Sequence, residues 1–323
     1  MNQTEIDKRF SNHYTPIARM PFLGSQFILF GASMTEWSFD KETEGLGWFL
    51  KNVYRDKVAV VNEASQFILF GDSLTEWAFD EHNEGFGWHF QQKYGEKVQV
   101  QCEGTKQLAA NAFTSTRLLH DFDRIVAQAT ASNAPRTLLF TIFLGANDAC
   151  LIGERELVPL PAFEANIRKF VETILVQDAM VDTKIVLITP PPINIPCPDV
   201  KGKDKGEVRD ANQAKRELRG YKTYMSKKRY AERIIQIARE YEETGRVIGL
   251  DFWGDLVRAR LQDFGEEYEE DKLPGSGLYG ARDFGEGYFT DGLHLDKRGY
   301  NVLSRGLYNA VLSKWPELSP AQL

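Results

Sequence analysis

Four short stretches hold side chains whose types suit acyl transfer: Gly71-Asp72-Ser73-Leu74, Glu103-Gly104, Ala146-Asn147-Asp148 and Asp291-Gly292-Leu293-His294. A serine hydroxyl is a weak nucleophile until a base removes its proton. Histidine suits that task near neutral pH. An aspartate beside it can fix the imidazole tautomer and stabilise the cation that forms. Asp291 and His294 stand three apart, close enough to meet within one turn. The Asn147 amide and the unshielded Gly104 N–H are candidate donors to the oxyanion of a tetrahedral intermediate.

These stretches need a scaffold that brings them together. The chain supplies alternating strands and helices. QFILFG, KVQVQC, RTLLFTIFLG, TKIVLITPPP and RVIGLDFW read as strands, and amphipathic helical stretches lie between them. RTLLFTIFLG is apolar nearly throughout, as expected for a strand covered on both faces. Such alternation predicts an α/β fold with a central parallel sheet wrapped by helices. Ligands of such sheets bind beyond the carboxyl ends of the strands, where all four stretches fall.

The first stretch occurs twice. SQFILFGDSLTEW at 65–77 repeats SQFILFGASMTEW at 25–37. Residues 25–64 and 65–104 align without a gap, with 22 of 40 positions identical. Copy one has Ala32 where copy two has Asp72, and Ala64 where copy two has Gly104. Two units are too few for a solenoid, so the pattern reads as duplication of one segment.

Composition narrows the function classes. The chain has 323 residues, 42% of them hydrophobic, and a net charge of −7. That acidity gives no reason to expect nucleic acid as partner. Three cysteines, Cys102, Cys150 and Cys197, form no C-x-x-C pair and suggest neither a disulfide framework nor a zinc site. No signal-like or membrane-spanning apolar run is evident, so the expected location is cytoplasmic. There is no G-x-G-x-x-G after a strand, no Walker lysine, and no G-x-S-x-G elbow.

In order, Gly71-Asp72-Ser73-Leu74, Gly104, Gly145-Ala146-Asn147-Asp148 and Asp291-Gly292-Leu293-His294 resemble the four blocks of the SGNH, or GDSL, hydrolase superfamily. The sequence around ITPPP and FTDGLHLDKRGY is most similar to the isoamyl acetate-hydrolysing esterase branch. The resemblance covers roughly residues 65–313. It implies a flavodoxin-like three-layer α/β/α sandwich and a metal-free, cofactor-free serine esterase acting on a small ester. It makes Ser73 the nucleophile, His294 the base and Asp291 its orienting partner. The oxyanion hole is then the backbone N–H groups of Ser73 and Gly104 with the Asn147 side chain, and Asp72 and Asp148 are supporting residues. The corresponding division is an extension over 1–24, a degenerate copy over 25–64 and the hydrolase domain over 65–323.

Blander readings stand beside these. Ser73 alone also fits a helix cap, and Asn147 and Asp148 also fit a turn. His13, His82, His89 and His120 read as surface or packing residues, Cys102 as packing, and Trp77 and Trp88 as core aromatics. Residues 190–220 and 263–290 read as functional rims or solvated loops. The alternative to an active esterase on short- to medium-chain acyl esters is a silent protein whose working strand is displaced by the identical QFILFG of copy one. A further alternative is that the two copies do not coexist in the working protein. Lysophospholipase, thioesterase and carbohydrate acetylesterase chemistry also stay open, as do the oligomeric state and the place of copy one.

Overall fold

A computed structural model describes residues 26–29, 46–54, 59–62, 65–104, 113–150, 156–195, 223–278 and 280–323. Copy one contributes β1 (Gln26–Leu29), α1 (Leu46–Tyr54) and β2 (Ala59–Asn62). Copy two contributes β3 (Ser65–Gly71), the short α2 (Ser73–Glu76), α3 (Phe86–Tyr94) and β4 (Gln99–Gly104). There follow α4 (Leu119–Ala129), β5 (Arg136–Phe143), α5 (Leu160–Leu175), β6 (Lys184–Ile188) and α6 (Tyr224–Glu240). The chain ends with β7 (Val247–Leu250), α7 (Phe252–Phe264) and α8 (Lys297–Lys314).

Five parallel strands form the main sheet in the order β4-β3-β5-β6-β7. From β3 the chain adds β4 on one side and then β5, β6 and β7 on the other, so the strand order switches between β3 and β5, which is where a doubly wound sheet opens a crevice for a ligand. Alternation along each strand splits the apolar side chains between two cores. Phe67 and Leu69 of β3 face the core filled by α3, α7 and α8. Ile68 and Phe70 face the one filled by α4, α5 and α6. Burying each such side chain stabilises by about 1.5–3 kcal/mol. The three-layer α/β/α architecture expected from the sequence is thus present.

Copy one forms a separate two-stranded parallel sheet. Its register, Gln26 opposite Ala59, is that of copy two, Gln66 opposite Gln99, shifted by one repeat. Connectivity explains the separation. Only Glu63 and Ala64 lie between β2 and β3. A parallel neighbour needs a crossover of a dozen or more residues, and β3 already has β4 and β5 on its two sides.

The glycine-rich stretch after α7 is pinned. The buried Arg260 guanidinium lies 3.6 Å over the Phe264 ring, donates to the Asp283 carbonyl and pairs with Glu266. Tyr288 Oη donates to Asp263 across 2.6 Å. The Asn194 N–H donates to the Gly292 carbonyl, and its side chain accepts from the Phe284 N–H. Most of residues 190–220, read as a rim, lies outside the described residues. Among the described residues, no helix is long and apolar enough to cross a membrane.

Candidate active site

Ser73 opens α2 at the carboxyl end of β3, an inner strand of the sheet. The turn into this helix is tight: a Cβ on Gly71 would lie 2.5 Å from the Phe143 carbonyl oxygen and 2.1 Å from Thr75 Oγ1. Asp72 caps the helix, its Oδ1 accepting from the Leu74 N–H at 3.0 Å. Its carbonyl accepts from the N–H groups of Thr75 and Glu76. The cap thus fixes where the serine hydroxyl emerges. The Tyr300 hydroxyl of α8 donates to the Leu74 carbonyl at 2.9 Å and ties α2 to the last helix.

His294 arrives from a turn just before α8. Gly292 adopts a left-handed conformation, φ 88°, that suits glycine. Asp291 Oδ1 accepts from the backbone N–H groups of Leu293 and His294, each at 2.8 Å. Its other oxygen, Oδ2, meets His294 Nδ1 at 2.7 Å. Across the ring, His294 Nε2 lies 3.1 Å from Ser73 Oγ. These partners favour the tautomer with the proton on Nδ1, which leaves Nε2 as acceptor for the serine hydroxyl. Burial pushes the Asp291 carboxyl up, but the hydrogen bonds from the His294 ring and from the His294 and Leu293 N–H groups outweigh it. Its pKa is held well below the usual carboxylate range.

Asn147 follows β5, the neighbour of β3, and is nearly fully buried. Its side-chain amide donates to the Phe113 carbonyl at 3.0 Å. Asp148 is buried beside it, and its Oδ1 accepts from the Ser115 N–H at 2.9 Å. Burial raises Asp148 to about 6 against the hydrogen bonds from Ser115. Burial likewise raises Asp72 to about 7. The Leu74 N–H opposes that shift, the Asp148 charge adds to it, and Lys227 and His294 oppose it.

Gly104 ends β4 opposite Gly71. A Cβ there would lie 2.4 Å from the Glu76 nitrogen and 2.8 Å from the Thr75 carbonyl carbon. The bare backbone therefore lets α2 lie directly on the end of β4. Cys102 packs nearby and donates its thiol to the Thr75 carbonyl at 2.9 Å.

The structure brings Ser73, His294 and Asp291 into one hydrogen-bonded chain and sets Asn147 and Gly104 at the ends of the two strands flanking β3. Ser33 and Ala32 of copy one lie outside the described residues. Trp77 corrects the sequence reading. It is not a core aromatic: it is 36% exposed and stacks on His294. Trp88 is only partly buried. The segment Phe113–Ser115 was also not singled out from sequence, because its link to Asn147 and Asp148 spans more than thirty residues. Among the described residues, no group of three or more His, Cys, Asp or Glu side chains is arranged to hold a metal ion.

The chain is 26% identical over 193 residues to an isoamyl acetate-hydrolyzing esterase 1 homolog of Bos taurus, covering 59% of this chain and 61% of that protein. It is 29% identical over 188 residues to a GDSL esterase/lipase of Arabidopsis thaliana, covering 57% of this chain and 62% of that one. The matched region thus spans about three fifths of the length of these curated relatives. A solved acetylxylan esterase of Geobacillus stearothermophilus aligns at 17% identity and a TM-score of 0.45, over 77% of this chain and 93% of that one. The family model of the GDSL-like lipases and acylhydrolases matches residues 67–307, from within β3 to within α8. That span takes in every strand of the main sheet except the first two residues of β3, along with Ser73, Asn147 and His294, and the chain belongs to the GDSL-like lipase/acylhydrolase family.

Proposed function

We propose that the chain is a carboxylic ester hydrolase that works through an acyl-enzyme on Ser73, with short acyl esters, acetates among them, as substrates. The observation that carries this reading is the continuous chain from Ser73 Oγ to His294 Nε2 at 3.1 Å and from His294 Nδ1 to Asp291 Oδ2 at 2.7 Å. Membership of the family supports the reaction class. The acyl size is inferred from the acetate in the bovine relative's name.

In this mechanism Ser73 Oγ bonds to the ester carbonyl carbon as its proton passes to His294 Nε2. The carbonyl π electrons move to oxygen. The Ser73 N–H and the Asn147 amide donate to that oxyanion, with the Gly104 N–H as the third candidate donor. Asp291 stabilises the imidazolium. Collapse of the intermediate expels the alcohol, which takes the proton from His294. Water then attacks the acyl-serine by the same route, releasing the acid and restoring Ser73.

Copy two is the working copy in this reading, within a hydrolase domain over 65–323, and copy one over 25–64 is an appended unit. Asp72 and Gly104 support that choice, since the capping carboxylate and the close approach beneath α2 are both lost in the residues of copy one, Ala32 and Ala64.

The test is hydrolysis of p-nitrophenyl acetate by Ser73→Ala, His294→Ala and the double variant. Each single variant should lose nearly all activity, and the double variant should be little worse, because members of such a unit act together. An organophosphate ester should label Ser73 alone, read by peptide mass. Full activity in Ser73→Ala, or labelling at Ser33, sinks the assignment.

A further inference from the structure

Trp77 lies four residues after Ser73, one helical turn on. Its backbone N–H donates to the Ser73 carbonyl and closes α2. Residues i and i+4 of a helical turn share one face, so the indole and the serine hydroxyl both look towards the turn that carries His294. The indole lies almost flat on the imidazole, with ring centroids 5.0 Å apart and planes 19° from parallel. It remains partly open to solvent, so core packing does not account for its position.

We infer that Trp77 is a positioning residue for His294, holding the imidazole plane and stabilising the imidazolium through its π face during proton transfer. The inference rests on the assignment of Ser73 and His294 above. The geometry separates two supports for the same cation. Asp291 acts in the ring plane, through Nδ1. Trp77 acts on the ring face, where the negative face of the indole quadrupole attracts a cation within about 6 Å. The face contact matters most when the ring is charged. In the proposed mechanism the ring accepts the serine proton as a neutral base and is cationic once Ser73 has given it up. An interaction that strengthens in this way raises kcat rather than substrate affinity.

The experiment compares Trp77→Leu, Trp77→Phe and the site-specific pentafluorophenylalanine variant with the parent chain, on p-nitrophenyl acetate. Phenylalanine and its pentafluoro analogue have nearly the same shape but opposite ring quadrupoles. The expected result is a kcat that falls in the order Trp, Phe, pentafluoro-Phe. Trp77→Leu should lose about 5- to 30-fold, the scale of one partly desolvated cation–π contact. KM should stay within about twofold if the contact acts on the transition state and not on ground-state binding. Thermal unfolding of each variant shows whether the fold is kept. Equal kcat for the phenylalanine and pentafluoro variants overturns the role, since packing alone then suffices. A raised KM with kcat intact also overturns it, and makes Trp77 a wall of the substrate site. Ser73→Ala run alongside separates the two levels. Full activity there removes the serine assignment itself, whereas an inactive Ser73→Ala beside an unchanged Trp77→Leu removes only the role of Trp77.

Discussion

The Asn147 side-chain amide donates to the carbonyl of Phe113 across 3.0 Å. That bond uses one of its two N–H groups and fixes the plane of the amide, so the second N–H has a set direction before substrate arrives. A donor held in this way stabilises developing charge without reorganising. Asn147→Ala should therefore lower kcat by roughly 100- to 1,000-fold with a smaller effect on KM. Steady-state kinetics on a short ester decides it, and an unchanged kcat would make Asn147 a turn former only.

Gly104→Ala tests the contact beneath α2. The new Cβ would meet the backbone of Thr75 and Glu76, which cannot swing aside as a side chain can. Overpacking of this kind costs about 1–3 kcal/mol. Because the displaced helix begins at Ser73, kcat should fall along with stability. Urea unfolding and kinetics on the same preparation measure both, and wild-type stability would show that β4 and α2 can separate without cost.

Asp72 gives stability a pH dependence. Its pKa is raised to about 7 by burial, with the Asp148 charge adding and the Leu74 N–H, Lys227 and His294 opposing. The unfolded value is about 3.9. An acid whose folded pKa lies above its unfolded one binds its proton more tightly in the folded state, so stability declines as pH rises between the two. Asp148, raised to about 6, acts in the same direction over a narrower range. Melting temperature should therefore drop from about pH 4 to about pH 7 and level off above that. Asp72→Asn keeps the oxygen that accepts from Leu74 and should flatten the drop. An equally steep drop in that variant would clear Asp72 as the cause.

The two copies can be tested by deletion. Removing residues 25–64 should leave a folded chain that hydrolyses ester, since β3, β4, β5 and the turn before α8 carry the candidate site residues and, among the described residues, β1 pairs only with β2. Removing 65–104 should leave little or no activity, because alanine at position 32 lacks the capping carboxylate of Asp72 and alanine at position 64 stands where copy two needs the bare backbone of Gly104. Activity confined to the second protein would move the nucleophile to Ser33.

Much of this was legible in the sequence because it is local. The strands are short apolar runs closed by glycine or proline, and Asp291 and His294 meet within one turn. What was not legible depends on which way a side chain faces or on distant partners. Trp77 has a residue type that normally marks a core and reads as one; its spacing of four from Ser73 is the one local signal that could have shown otherwise. The acidic, glycine-rich run after α7 reads as solvated, yet Arg260 is buried beneath it and holds Asp283 and Glu266. Nothing local to Arg260 announces that burial. The Phe113 carbonyl that orients Asn147 is equally invisible without the fold.

The identity of the two SQFILFG segments also bears on how the chain reaches its native state. The strand must find β5, which is synthesised after both copies. From Leu69 to its partner Thr141 is 72 residues, and from Leu29 to the same partner is 112. The difference in loop-closure entropy is only about 0.4 kcal/mol. An initial encounter therefore barely distinguishes the two strands. Discrimination comes late, when α2 docks and the Asp72 cap, worth about 1 kcal/mol, and the bare Gly104 backbone come into play. Refolding should divide between a direct route and a mispaired species that must detach before it can proceed. Removal of the first copy should merge the two into one faster phase.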